Sequence, residues 1–131
     1  MAEPMGPAPE GLLVYTAAGT MITTIGLPGR PPITGGDILG GPTDEIVAMA
    51  TTFIAYAGTY ELDGDDVVHH VEMSLFPDWV GSQQRRHVEL SDGGATLSLS
   101  SEPMQVRGRV SAQRLIWDRI PDRASVPGRG A

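Results

Sequence analysis

The sequence predicts a small all-β domain, an antiparallel meander of strands with one short helix, closed into a calyx-like barrel around an apolar pocket. Three observations predict it. Stretches of alternating apolar and polar residues, rich in β-branched side chains, recur through the second half of the chain. Tight turn sequences separate them, Asp63-Gly64-Asp65-Asp66 and Ser91-Asp92-Gly93-Gly94 among them. The 17 glycines and 11 prolines in 131 residues supply the turns that a short-stranded sheet needs.

The elements follow in order. Residues 1–10 hold Pro4, Pro7 and Pro9, which suit neither a helix start nor a central strand, so they read as an extended arm. Residues 12–16 and 20–25 are two strands joined through Ala17, Ala18 and Gly19. Residues 26–42 carry six glycines and four prolines and form a long loop, a kind of segment that is often functional. Residues 43–50 are the helix, with Thr43 or Asp44 as its cap and Ile46, Val47 and Ala50 at helical spacing. Residues 57–62 and 67–74 form a hairpin in which Gly64 takes positive φ, and residues 83–90 and 96–101 form a second. A last strand covers 109–120, and the tail 121–131 frays. The barrel domain is therefore 11–120, and closing the meander removes its exposed edges.

Composition removes several classes of function. Without cysteine there is no disulfide and no thiolate chemistry, and a cytoplasmic location is expected. All nine basic residues are arginine, so there is no lysine for Schiff-base chemistry. A net charge of −7 disfavours nucleic acid as a partner. No apolar run approaches the roughly 18 residues of a membrane span, and the acid- and proline-bearing start does not read as a signal peptide. Gly35-Gly36 and Gly40-Gly41 lack the order of a phosphate-binding loop, and no Gly-x-Ser-x-Gly elbow occurs. No metal is expected: His69 and His70 are adjacent on a strand and diverge, and His70 with Glu72 gives two ligands, too few for a closed site.

Four segments together resemble the lipocalin-like domain family of small bacterial and fungal proteins. They are Gly11-Leu12-Leu13-Val14-Tyr15 with Gly19-Thr20-Met21; Tyr56-Ala57-Gly58-Thr59-Tyr60; Val67-Val68-His69-His70-Val71-Glu72 running on to Phe76-Pro77-Asp78-Trp79-Val80-Gly81, Gln84 and Arg86; and Leu115-Ile116-Trp117-Asp118-Arg119. The match covers about residues 7–119, with order and spacing kept. The His-His strand, the Pro-x-Trp-x-Gly connection and the following arginine are its most specific part. The resemblance implies an antiparallel calyx that holds a small apolar molecule without a cofactor. Some barrels of this general kind act as cyclases or isomerases in natural-product pathways. Family members usually begin with a Gly-Thr-Trp strand, and here the proline-rich arm stands in that place. A missing strand leaves two unpaired edges, so a partner chain or the arm is expected to cover them, with a homodimer as the simplest assembly.

Side-chain alternation assigns the candidate residues to faces. His69 shares a face with Val67, Val71 and Met73 and is expected inside, whereas His70 lies with Glu72 and Ser74 on the outer face. An inward His69 is either a general acid or base or a hydrogen-bonded core residue. Arg86, with Gln84 on the same face, also points inward, and a buried arginine must be paired. Its partner is either a protein carboxylate or a ligand carboxylate, enolate or carbonyl. Tyr60 and Tyr15 either pack or orient a ligand oxygen, and Trp79 and Trp117 either line the pocket or fill core. Met21 and Met73 complete the apolar lining. The catalytic candidates are thus His69, Arg86 and Tyr60, and the ligand-binding candidates Tyr15, Met21, Met73, Trp79, Gln84 and Trp117.

Two functions from different classes fit. One is a cofactor-free cyclase, isomerase or dehydratase that folds an apolar secondary metabolite into a reactive shape and polarises a carbonyl or moves a proton. The other is a barrel that only binds or carries such a molecule. Inward His69 and Arg86 favour the enzyme narrowly.

Overall fold

The computed structural model describes residues 8–121. The first seven residues of the arm and the tail beyond Pro121 lie outside the described residues. Strands β1 (Glu10–Tyr15), β2 (Thr20–Gly26), β3 (Phe53–Asp63), β4 (Asp66–Ser74), β5 (Gln83–Ser91), β6 (Thr96–Ser101) and β9 (Arg114–Asp118) pair antiparallel in that order as one sheet. Helix α1 (Thr43–Thr51) lies between β2 and β3, and strands β7 (Met104–Val106) and β8 (Arg109–Ser111) form a separate hairpin. The result is the expected nearly closed antiparallel barrel with one helix. Its edges, β1 and β9, do not hydrogen-bond to each other. The Trp117 side chain of β9 instead lies against the β1 backbone: a Cβ on Gly11 would be 3.1 Å from its indole.

The tight turns are where the sequence puts them. Asp63 pairs with Asp66 across Gly64-Asp65, and Gly64 has φ 62°. The 16–19 turn is closed by Thr16 and Gly19, with Gly19 at φ 96°. Two boundaries differ. β3 starts at Phe53 rather than Ala57, because Phe53 and Ile54 already pair with Gly26 and Ile25. The single strand expected over 109–120 is broken into β8 and β9, and β8 folds back on β7 across Arg107-Gly108, both at positive φ.

Helix α1 is capped by Pro42, not by Thr43 or Asp44, and the Pro42 carbonyl accepts from the Glu45 and Ile46 amides. Asp44 and Glu45 in the first turn complement the helix dipole. At the other end the Thr51 and Thr52 hydroxyls donate to the Val47 and Ala48 carbonyls at 2.9 and 2.6 Å, which stops the helix against β3. The glycine- and proline-rich loop is tied to the helix through Thr34, whose amide and hydroxyl donate to Glu45, and through Arg30, which donates to Thr52 and Met49.

One irregularity decides which side chains reach the interior. Val71 pairs with Gly58 and Met73 with Ala57, so Glu72 is an extra residue in β4. Such a bulge reverses the inward–outward alternation beyond it. Val67, His69 and Val71 are buried, but Met73 is 74% exposed on the outer surface. The expectation that Met73 lines the pocket is therefore wrong, and the bulge is the reason. Gly58 permits the bulge: a Cβ there would collide with the His70 carbonyl and crowd the Glu72 amide.

Gly58→Ala should accordingly destabilise the fold by at least the 1–3 kcal/mol typical of overpacking, because backbone has to move. Urea denaturation followed by circular dichroism checks this, and a loss under ~0.5 kcal/mol would mean the bulge tolerates a side chain.

Candidate functional site

The barrel interior is divided. Towards one end it is filled: Met21, Tyr56 and Val71 form a buried cluster against which Leu13, Tyr15, Ile54, Tyr60 and Trp79 pack. The rest is a cavity of about 830 Å³. Residues of β1 to β6 and of the edge strand β9 build its wall, together with the last residues of α1 and strand β7. Residues 26–42, expected to be functional as a long loop, contribute nothing to this wall.

His69 sits at the boundary between the two regions and is 1% exposed. Register places it opposite Tyr60 of β3 and Gln84 of β5. Both ring nitrogens are used. Tyr15 Oη lies 2.6 Å from Nε2, reaching across from β1, and Tyr56 Oη lies 2.7 Å from Nδ1. Tyr56 is on the same face of β3 as Tyr60, with Gly58 between them presenting no side chain. The Tyr15 ring packs edge-on against Tyr60, and the Tyr56 ring edge-on against Trp79, with centroids 4.8 and 5.5 Å apart.

Burial keeps this chain neutral. Desolvation first, and then the charge of Arg86, push the His69 imidazole down to about 4. Burial raises both the Tyr15 and Tyr56 phenols, partly offset by Arg86. At neutral pH the three groups are therefore two phenols and an uncharged imidazole.

Arg86 lines the cavity, and its only hydrogen bond among the described residues is from Nη1 to the Arg85 carbonyl, 2.9 Å away. No carboxylate among the described residues contacts it, in contrast to Arg85, which faces outward and bridges Asp63 and Asp66 at 3.0 Å each. The distribution of charge in the wall is one-sided. Arg86, Arg107 and Arg114 line it, and no aspartate or glutamate among the described residues does, although the chain carries 16 acids to nine arginines. Arg114 donates to Ser98 Oγ and Arg107 to the Thr51 carbonyl.

The other expected site residues divide. Trp79 and Trp117 line the cavity, and the Trp117 Nε1 is buried without a hydrogen-bond partner among the described residues. Tyr60 does not line it and donates its hydroxyl to the Thr16 carbonyl at 2.7 Å. Gln84 is also off the wall, held by Ser82 Oγ at 2.9 Å, and Met21 is wholly buried in the filled end. Tyr15 reaches the cavity only through His69. Sequence reasoning did not single out Tyr56, Arg107 or Arg114. For Tyr56 a signal existed: it continues the period-two face of Gly58 and Tyr60 once the strand is begun early enough. Among the described residues, no three His, Asp or Glu side chains cluster as metal ligands would, and no helix is long and apolar enough to cross a membrane.

Comparison with known proteins agrees with this architecture. A family model described as a lipocalin-like domain matches residues 1–120. The 4'-hydroxy-3'-methoxypropiophenone carrier protein ppsC of Aspergillus oryzae (strain ATCC 42149 / RIB 40) is 31% identical over 103 residues, which span 72% of this chain and 91% of that protein.

The depressed imidazole carries a stability prediction. An unfolded histidine titrates near 6.5 and the folded one near 4, so the unfolded state binds the extra proton in between. Stability should be full above about pH 6.5 and fall as pH drops towards 4, by about 3 kcal/mol in total from this group. His69→Gln should flatten the pH 7 to 5 part of the urea-midpoint profile, and an unchanged slope in the variant would assign the loss to other groups.

Proposed function

The chain belongs to the lipocalin-like domain family, and from that premise we propose that it binds a small apolar molecule bearing an electronegative oxygen, with Arg86 as the polar anchor. The observation that carries this is the wall of the cavity: largely apolar and aromatic, with the half-buried Arg86 in it and no carboxylate among the described residues. A volume of about 830 Å³ suits a molecule of secondary-metabolite size. A guanidinium inside an apolar cavity without a counter-ion is costly, and a ligand carboxylate, enolate or carbonyl offsets that cost. The relative named as a carrier of an aryl ketone supports carriage as the first reading.

A second reading, a cofactor-free cyclase or isomerase, is favoured by one observation. The Tyr56–His69–Tyr15 chain reaches the same cavity as Arg86 through His69 and Tyr56. A carbonyl held by Arg86 would be polarised beside a group able to relay a proton.

Two fluorescent probes with the same ring system test the anchor. Anilinonaphthalene sulfonate carries an anion, and phenylnaphthylamine does not. Arg86→Met should fold normally and weaken the sulfonate by about 1.5–3 kcal/mol, a charge-assisted hydrogen bond's worth, while leaving the neutral probe unaffected. Equal weakening of both would show a packing role only.

Self-association belongs to the same reading. The edges of β1 and β9 are unpaired with each other, and the adjoining outer surface exposes Leu12, Val14 and Ile22 at 57%, 48% and 47%. A second copy on this surface would cover both. Sedimentation velocity at micromolar concentration should show a dimer that Val14→Asp dissociates, and a monomer throughout would remove the proposal.

A further inference from the structure

The hydrogen-bond chain at the cavity boundary holds one hydrogen too many. A neutral imidazole offers one N–H and one lone pair, and each phenol offers one O–H. Three hydrogens therefore serve two contacts, Tyr15 Oη to Nε2 and Tyr56 Oη to Nδ1. One phenol donates to the bare nitrogen. The other accepts from the N–H and keeps its own hydrogen unused. Neither hydroxyl has a second hydrogen-bond partner among the described residues.

The two possible arrangements are not equivalent. If Nε2 carries the proton, the unused hydrogen is on Tyr15, which does not line the cavity and packs edge-on against Tyr60. If Nδ1 carries it, the unused hydrogen is on Tyr56, which does line the cavity. A donor left without an acceptor inside the protein is penalised, whereas a donor at the cavity wall is met by a ligand or by water. Tyr15 is part-buried and Tyr56 is buried, but only Tyr56 stands on the cavity wall, so only the second arrangement turns the unused hydrogen towards a ligand. The count of three hydrogens holds at neutral pH because the imidazole titrates near 4 and both phenols are raised.

The geometry points to Tyr56 as a second ligand-binding residue, whose hydroxyl donates to a carbonyl or enolate oxygen, with His69 and Tyr15 as the positioning residues that fix its direction. This rests on the reading of the cavity as a ligand site. Tyr56 and Arg86 then present donors only. The polar end of the ligand is an acceptor, and a ligand whose polar end is a cationic ammonium group is disfavoured beside the Arg86 charge. Trp79 packs edge-on against the Tyr56 ring and helps to hold it in place.

Two measurements test this independently of each other. Long-range nitrogen–proton NMR of isotope-labelled protein reads which ring nitrogen of His69 is protonated, with His69→Gln assigning the signal. The proton is expected on Nδ1, and a proton on Nε2 overturns the assignment whether or not any ligand binds. The second measurement uses an acylated dimethylaminonaphthalene, a fluorescent aryl ketone whose emission moves to longer wavelength when its carbonyl accepts a hydrogen bond. Tyr56→Phe should bind it about three- to tenfold more weakly, with emission at shorter wavelength. Dimethylaminonaphthalene without the acyl group should bind both proteins alike. Equal affinity and unchanged emission of the ketone in the variant overturn the role of Tyr56. If neither naphthalene binds the unmodified protein, the cavity reading falls, and the position of the His69 proton alone decides whether Tyr56 is the outward donor.

Discussion

A histidine buried inside a barrel has to satisfy two ring nitrogens without water, and much of this interior is arranged around that requirement. His69 on β4 takes one partner from β1 and one from β3. The bond to Tyr15 ties strands that are three apart in the sheet, so it links opposite sides of the interior rather than neighbours. The edge-on contacts among Tyr15, Tyr60, Tyr56 and Trp79 grow outward from these bonds. The filled end of the barrel is in effect the packing that holds two phenols in reach of one imidazole. Removing a partner leaves a buried polar atom unpaired, which costs more than the hydrogen bond itself contributes.

The sorting of charge follows from the same accounting of buried polar groups. On the outer surface carboxylates take partners across strands: Arg85 bridges Asp63 and Asp66, and the His87 and His70 rings lie within reach of Asp66 and Glu61. Arg85 and Arg86 are neighbours in sequence, and strand alternation alone sends one to that network and the other to the cavity. Arg86 lowers the affinity of His69 for protons and partly offsets the raised phenols, so its charge is felt throughout the polar chain. A protein of net charge −7 thus turns the half-buried Arg86 towards a cavity that no aspartate or glutamate among the described residues lines. The acidic outside disfavours phosphate backbones, while the inside suits an electron-rich oxygen.

Much of this was legible in the sequence. Period-two alternation in β4 and β5 places His69 and Arg86 inward because both precede any irregularity. Met73 was misplaced because a bulge has no residue type of its own: Glu72 reads as an ordinary outward residue, and only the pairing of Val71 with Gly58 reveals it as extra. The β7–β8 hairpin was missed because three-residue strands are too short to show a period, and its turn puts Arg107, a residue uncommon at positive φ, beside Gly108. Tyr56 was missed through a strand begun at Ala57, four residues after the start of β3 at Phe53. The Tyr60 hydroxyl was free in the reading from sequence, but the turn carbonyl of Thr16 lies close enough to take it.

The balance between carriage and catalysis turns on what His69 has left to offer. Its lone pair lies within hydrogen-bond reach of a phenol and its N–H within reach of the other. It cannot take a proton from a ligand unless a tyrosine moves or passes one along, and burial opposes the imidazolium that would result. Polarising an oxygen asks for neither step. It needs only donors already in place, which lower the energy of developing negative charge without reorganisation. A cavity of this kind therefore suits reactions in which shape and a polarised oxygen suffice, and the same features hold a cargo that does not react. Which of the two is realised depends on the reactivity of the bound molecule more than on any further group in the wall.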